Sequence, residues 1–111
     1  MPEFDKFLQD LKEGMAQLAK DNFGKKNWQA ALQDGQAFLE KSKADLQRWL
    51  KMLNNKEITQ EEFKSLVEGL KDLAAMEALK QAGLKAAKID KFRTQAINLL
   101  IDTAFKIIIP I

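Results

Sequence analysis

Any chemistry in this chain has to come from carboxylates, lysines, two arginines and a few hydroxyls, because its 111 residues include no cysteine, histidine or tyrosine. That composition excludes disulfide frameworks, thiol nucleophiles, zinc clusters, haem ligation and imidazole acid–base catalysis. Carboxylate-bridged metal sites in helical bundles combine inward-facing glutamates with Glu-x-x-His pairs, and here the second component is missing. Glu77 is the one acid that periodicity places on a buried-looking stripe, and its simplest role is at the end of a bundle or paired with Lys80 or Lys85. The hydroxyls of Ser42, Ser65, Thr94 and Thr103 stand in no glycine-rich turn and beside no general base. Neither a phosphate-cradling loop nor a dinucleotide fingerprint occurs. We therefore expect no enzyme, no cofactor and no metal.

The balance of 18 basic and 16 acidic residues gives a net charge of +2, which suits a soluble surface and is too small to imply nucleic acid. Lys80, Lys85, Lys88, Lys91 and Arg93 form the densest basic cluster. Nucleic-acid binding would call for more arginines or for aromatic residues in that patch, and Phe92 fits an apolar stripe instead, so we read a solvated lysine face. No leader pattern is visible in the charged opening MPEFDKFLQDLKEG, and the apolar stretch from Ala96 to Ile111 is interrupted by Asn98, Asp102 and Lys106. It is shorter and more polar than the run of about 20 apolar residues that spans a bilayer. A cytoplasmic protein is expected.

The elements that position these residues are helices. Leucine, alanine and glutamine dominate, while threonine and valine are scarce, which leaves little from which to build strands. We expect a single domain over residues 1–111 with helices at about 3–23, 27–54, 60–82 and 85–108. In the first, Phe4, Leu8, Leu11, Met15 and Leu18 recur at spacings of three and four, with Pro2 suited to the first turn and Gly24 to a left-handed cap. The second opens with Asn27 as a candidate cap. It carries Trp28, Leu32, Gly35, Leu39, Ser42, Leu46, Trp49 and Leu53 as one regular stripe. Gly35 on that stripe marks a place where another helix backbone comes close, and the two tryptophans read as core anchors.

Thr59 and Glu62 make a capping box, with Ile58 and Phe63 at the positions of a hydrophobic staple. The stripe that follows, Phe63, Leu66, Val67, Leu70, Leu73 and Ala74, would continue into Glu77 and Gln81, and it reappears rotated at Ile89, Ala96 and Leu100. One straight helix does not keep both stripes on one partner, and Gly83 followed by Leu84 is the natural break. The fold class expected is all-α, an antiparallel up-down-up-down four-helix bundle. The alternative is two helices plus one long C-terminal helix, which would dimerise.

The last helix is unusually apolar. Lys88, Lys91, Gln95, Asn98, Asp102 and Lys106 leave it a single narrow polar stripe. One apolar strip holds Phe92, Ala96, Leu99, Leu100 and Ile107, and a second, turned by about 100°, holds Ile97, Ile101, Phe105 and Ile108. Two strips require either that the helix packs between two others or that it meets a partner outside the chain. We expect Ile97, Ile101, Phe105, Ile108 and Ile111 to form an interface in a homo-oligomer, most simply a two-fold dimer, or with another protein. The functional expectation is a non-catalytic helical interaction or scaffold protein. A membrane-surface or lipid-binding bundle using the same apolar helix is the alternative.

Overall fold

The computed structural model describes the backbone of residues 2–108 and the side chains of residues 4–107. These residues form helices and no strand. Three long helices, α1 (Pro2–Asn22), α2 (Trp28–Asn54) and α5 (Ala86–Ile108), surround the core with an interrupted leg. That leg consists of α3 (Gln60–Glu68), a 3₁₀ turn (Gly69–Leu73) and α4 (Glu77–Gln81). Helix α1 packs on α2 and α5, the interrupted leg packs on the same two helices, and α1 and the leg lie diagonally apart. The long dimension is 43 Å against 22 Å across. It matches the roughly 40 Å that the 27 residues of α2 span at about 1.5 Å per residue.

Phenylalanines from α1, α2, α3 and α5 contribute to the core along its length. Phe7, Phe38, Phe63 and Phe92 are buried, and Phe23 packs edge-on to Phe92 with ring centroids 5.4 Å apart, joining the end of α1 to α5. A part-buried polar link reinforces the same junction: Asn22 Nδ2 donates to the Leu18 carbonyl at 2.9 Å and to Gln95 Oε1 at 2.6 Å.

Local sequence chemistry explains where the elements begin and end. The Glu62 amide donates to the Thr59 hydroxyl at 3.0 Å and the Thr59 amide to Glu62 at 2.9 Å, so the capping box closes both ways. Gly83, at φ 83°, ends α4. Its N–H bonds the Lys80 carbonyl at 3.0 Å while the Leu84 N–H reaches back to Leu79 at 3.2 Å, which is the double closure that a left-handed glycine permits. The chain therefore breaks at Gly83, and the single long C-terminal helix does not form.

Two smaller expectations differ from the structure. Asn27 occupies the position before α2 without a capping bond from its side chain, and Gly24 has no positive φ. The chain instead winds straight into the next helix, with the Asn27 and Trp28 amides both donating to the Gly24 carbonyl at 3.1 Å. Gly35 is approached closely, but by a side chain and not by a helix backbone: a Cβ there would sit 2.5 Å from Met15 Cγ. The same holds at Gly14 of α1, where a Cβ would meet Leu99 Cδ1 of α5 at 2.7 Å.

The larger difference is the third helix. Expected over 60–82 without interruption, it stops at Glu68, tightens into the 3₁₀ turn and resumes only at Glu77, after Met76 in the left-handed region at φ 56° and ψ 44°. The physical reason lies in Glu77 and Gln81. An unbroken helix would carry both onto the core-facing stripe, whereas the re-aimed chain exposes them and buries Ala74, Met76 and Leu79. Leu73, expected on the buried face, is 39% exposed. A left-handed non-glycine residue costs about 1–2 kcal/mol, less than desolvating a carboxylate without a partner.

Candidate functional site

Helix α5 carries both the polar stripe and the two apolar strips. Its polar stripe faces water as expected: Lys88, Lys91, Asn98, Asp102 and Lys106 are exposed, and Gln95 is half-buried in its bond to Asn22. Of the expected interface residues, Ile97 and Ile101 are only 4% and 5% exposed within the single chain. They lie at four-residue steps between Arg93 and Phe105, on the face of α5 that touches the interrupted leg at Ala74 and Phe63. Phe105 is half-buried, its ring 6.0 Å from that of Phe63 on α3. The side chain of Ile108 and the whole of Ile111 lie outside the described residues. The structure thus separates the strip into an inner part at Ile97 and Ile101 and an outer part that begins at Phe105.

A second constellation is one that helical periodicity did not single out. Asp34 of α2 is 7% exposed, and its carboxylate accepts the Ala78 N–H at 2.9 Å and the Leu79 N–H at 2.8 Å. Those are the second and third amides of α4, the ones an N-cap side chain normally satisfies. The residue at the cap position, Met76, has no acceptor, so Asp34 does this work from another helix. From the opposite side, Arg93 of α5 donates through Nε to the Ala74 carbonyl at 2.7 Å and also pairs with Asp90. Its side chain is 15% exposed.

Two oppositely charged side chains from α2 and α5 therefore hold the irregular stretch between Ala74 and Leu79 by its backbone. Both oxygens of Asp34 and the Nε of Arg93 are committed to those bonds. A signal for Asp34 was present: it sits between Ala31 and Phe38 at spacings of three and four, inside the apolar arc of its helix. Arg93 lay within the recognised basic cluster, but its four lysine neighbours are exposed while it is drawn inward.

The hydroxyls and tryptophans noted in the sequence divide between buried, half-buried and exposed positions. Ser42 is buried and bonded to the Phe38 carbonyl, Thr103 is buried, and Ser65 and Thr94 are exposed. Trp28 and Trp49, expected as core anchors, are instead half-buried and pack against the outside of the core, with Lys20 Nζ 5.2 Å above the first ring and the Arg48 guanidinium 5.9 Å above the second. Among the described residues no group of three or more acidic side chains is placed to hold a metal ion, and no helix is long and apolar enough to cross a membrane. A shallow depression lined by Lys71, Asp72, Ala74, Ala75, Lys80 and Arg93 opens beside the clamp. Comparison with protein-family models, with curated proteins and with solved structures found no match to this chain.

Proposed function

We propose that this chain is an antiparallel up-down-up-down four-helix bundle that works, without catalysis, as a cytoplasmic interaction or scaffold protein. In this reading it joins a second copy of itself, or a larger assembly, through the C-terminal end of its last helix. The observation that supports this is the continuity of apolar residues there. Phe105 and Ile107 are half-buried, and after Lys106 the sequence runs Ile107, Ile108, Ile109, Pro110, Ile111 without a polar residue. Burying such a run against a partner returns about 25 cal/mol for each Å² removed from water. Ile97 and Ile101 already pack inside the chain, so the contact we propose is confined to the outer part of the strip.

Light scattering after size-exclusion chromatography tests this directly. The chain weighs 12.6 kDa, and the wild type is expected to run as a multiple of that mass. The double variant Phe105→Lys, Ile111→Lys should run as a single chain while keeping its helical circular-dichroism signal. A wild type that stays at the single-chain mass at high concentration would sink the oligomer reading. Binding of that single chain to anionic lipid vesicles, lost in the same double variant, would favour the membrane-surface reading instead.

A further inference from the structure

The stretch from Gly69 to Leu84 is built differently from everything around it. It contains a five-residue 3₁₀ turn and a five-residue α-helix, both far shorter than the dozen or so residues at which a helix becomes even marginally stable alone. An exposed glycine stands near each end, and a Cβ at Gly69 or Gly83 would meet nothing within 4 Å. Within the stretch Leu70, Ala74, Met76 and Leu79 are buried, whereas Leu73 points outward. Met76 has to adopt a left-handed backbone to bring its side chain in.

Much of what fixes this stretch comes from outside it. Asp34 holds the start of α4 and Arg93 holds the Ala74 carbonyl. The long helices, by contrast, do not need it to stay together: α1 packs on α2 and α5, α2 packs on α5, and α3 packs on both α2 and α5.

We propose that residues 69–84 are a strap that detaches from the rest of the fold as one unit, with Asp34 and Arg93 as its two latches. Segments whose helical turns are too short to stand alone and whose backbone is held by side chains outside them open at lower free energy than the global fold, and they open cooperatively when their bonds depend on one another. Release uncovers a trough between α2 and α5. On α2 it exposes the surface around Asp34, where Ala31 and Phe38 lie one turn to either side, and on α5 the surface around Arg93, flanked likewise by Ile89 and Ile97. The strap is thus a gate over apolar surface that the closed fold hides.

Native-state hydrogen exchange across a series of low denaturant concentrations tests the proposal on the intact chain. The amides of Ala78, Leu79, Lys80, Ala82, Gly83 and Leu84 should converge on one opening reaction with a shared denaturant dependence. Their exchange should be about a hundredfold or more faster than that of core amides such as Leu46 and Leu100. Asp34→Asn, which keeps the side-chain shape but loses its charge, and Arg93→Met should each speed strap exchange by roughly tenfold or more. The core amides should change much less.

Strap amides that follow the same isotherm as the core in the wild type would overturn the proposal. So would strap amides that each exchange at an unrelated, denaturant-independent rate. Because the wild-type series decides between these outcomes, the test stands even if a latch variant fails to fold.

Discussion

Ile101→Lys is expected to abolish the cooperative thermal transition and most of the helical circular-dichroism signal at room temperature. Ile101 is 5% exposed and shares with Ile97 the face of α5 between Arg93 and Phe105, so a lysine there loses its water, and the buried carboxylate of Asp34 is already bound to the α4 amides. The nearest acidic residue on the same helix, Asp102, is exposed. Burying an unpartnered ammonium costs several kcal/mol, on top of about 2–5 kcal/mol for removing a core isoleucine. Domains of this size hold only about 5–15 kcal/mol of stability in total. Phe105→Lys, one turn further on and half-buried, should leave a folded chain, because the lysine stem can lie along the surface with its charge in water. If Ile101→Lys instead melts like the wild type while the assembly falls apart, the strip faces a partner and not the interior.

Substitution of the two helix-packing glycines should have opposite effects. Alanine is favoured over glycine inside a helix by about 1 kcal/mol, so space alone decides the sign at each position. At Gly35 the new methyl would fall 2.5 Å from Cγ and 2.8 Å from Sδ of Met15. Cγ lies close to the backbone of a fully buried residue and has nowhere to swing. At Gly14 the clash is with Cδ1 of Leu99, the tip of a half-buried side chain that can turn toward water. Overpacking costs about 1–3 kcal/mol, and we expect Gly35→Ala to be destabilised by about 1–2 kcal/mol in chemical denaturation. Gly14→Ala should be neutral or more stable. In a Met15→Ala background the penalty at Gly35 should vanish, and a double-mutant cycle that shows no coupling would refute the contact.

The all-helical class and the break at Gly83 were legible because each depends on neighbours in sequence. Thr59 with Glu62, and Gly83 with Leu84, carry their own local chemistry wherever the rest of the chain goes. The interruption before α4 was legible only as a misfit. Glu77 and Gln81 fell where apolar residues belonged, which signalled that a single helix was wrong without saying where the chain would turn. The left-handed Met76 that resolves the misfit is not a residue type that announces a turn, and the carboxylate that caps the new helix lies 44 residues from the amide it accepts. A cap supplied across the fold leaves no mark in local sequence. The second strip of α5 illustrates the same limit: periodicity identified the apolar residues but not that Ile97 and Ile101 would be buried within the chain, on a face that meets the interrupted leg at Ala74 and Phe63.

The positions of the two tryptophans make the protein its own optical reporter. Trp28 opens α2 and Trp49 lies 21 residues later, roughly 32 Å along the same rod. With no tyrosine in the chain, near-ultraviolet emission comes almost entirely from these two rings. Each is half in water beneath a cation, and the Lys20 above Trp28 belongs to α1, so that ring is sensitive to whether the end of α1 remains docked. Trp49 senses the far end of the rod. Replacing either one with phenylalanine leaves a single fluorophore at a known end, and the loss of order at the two ends of the molecule becomes separately visible without an added label.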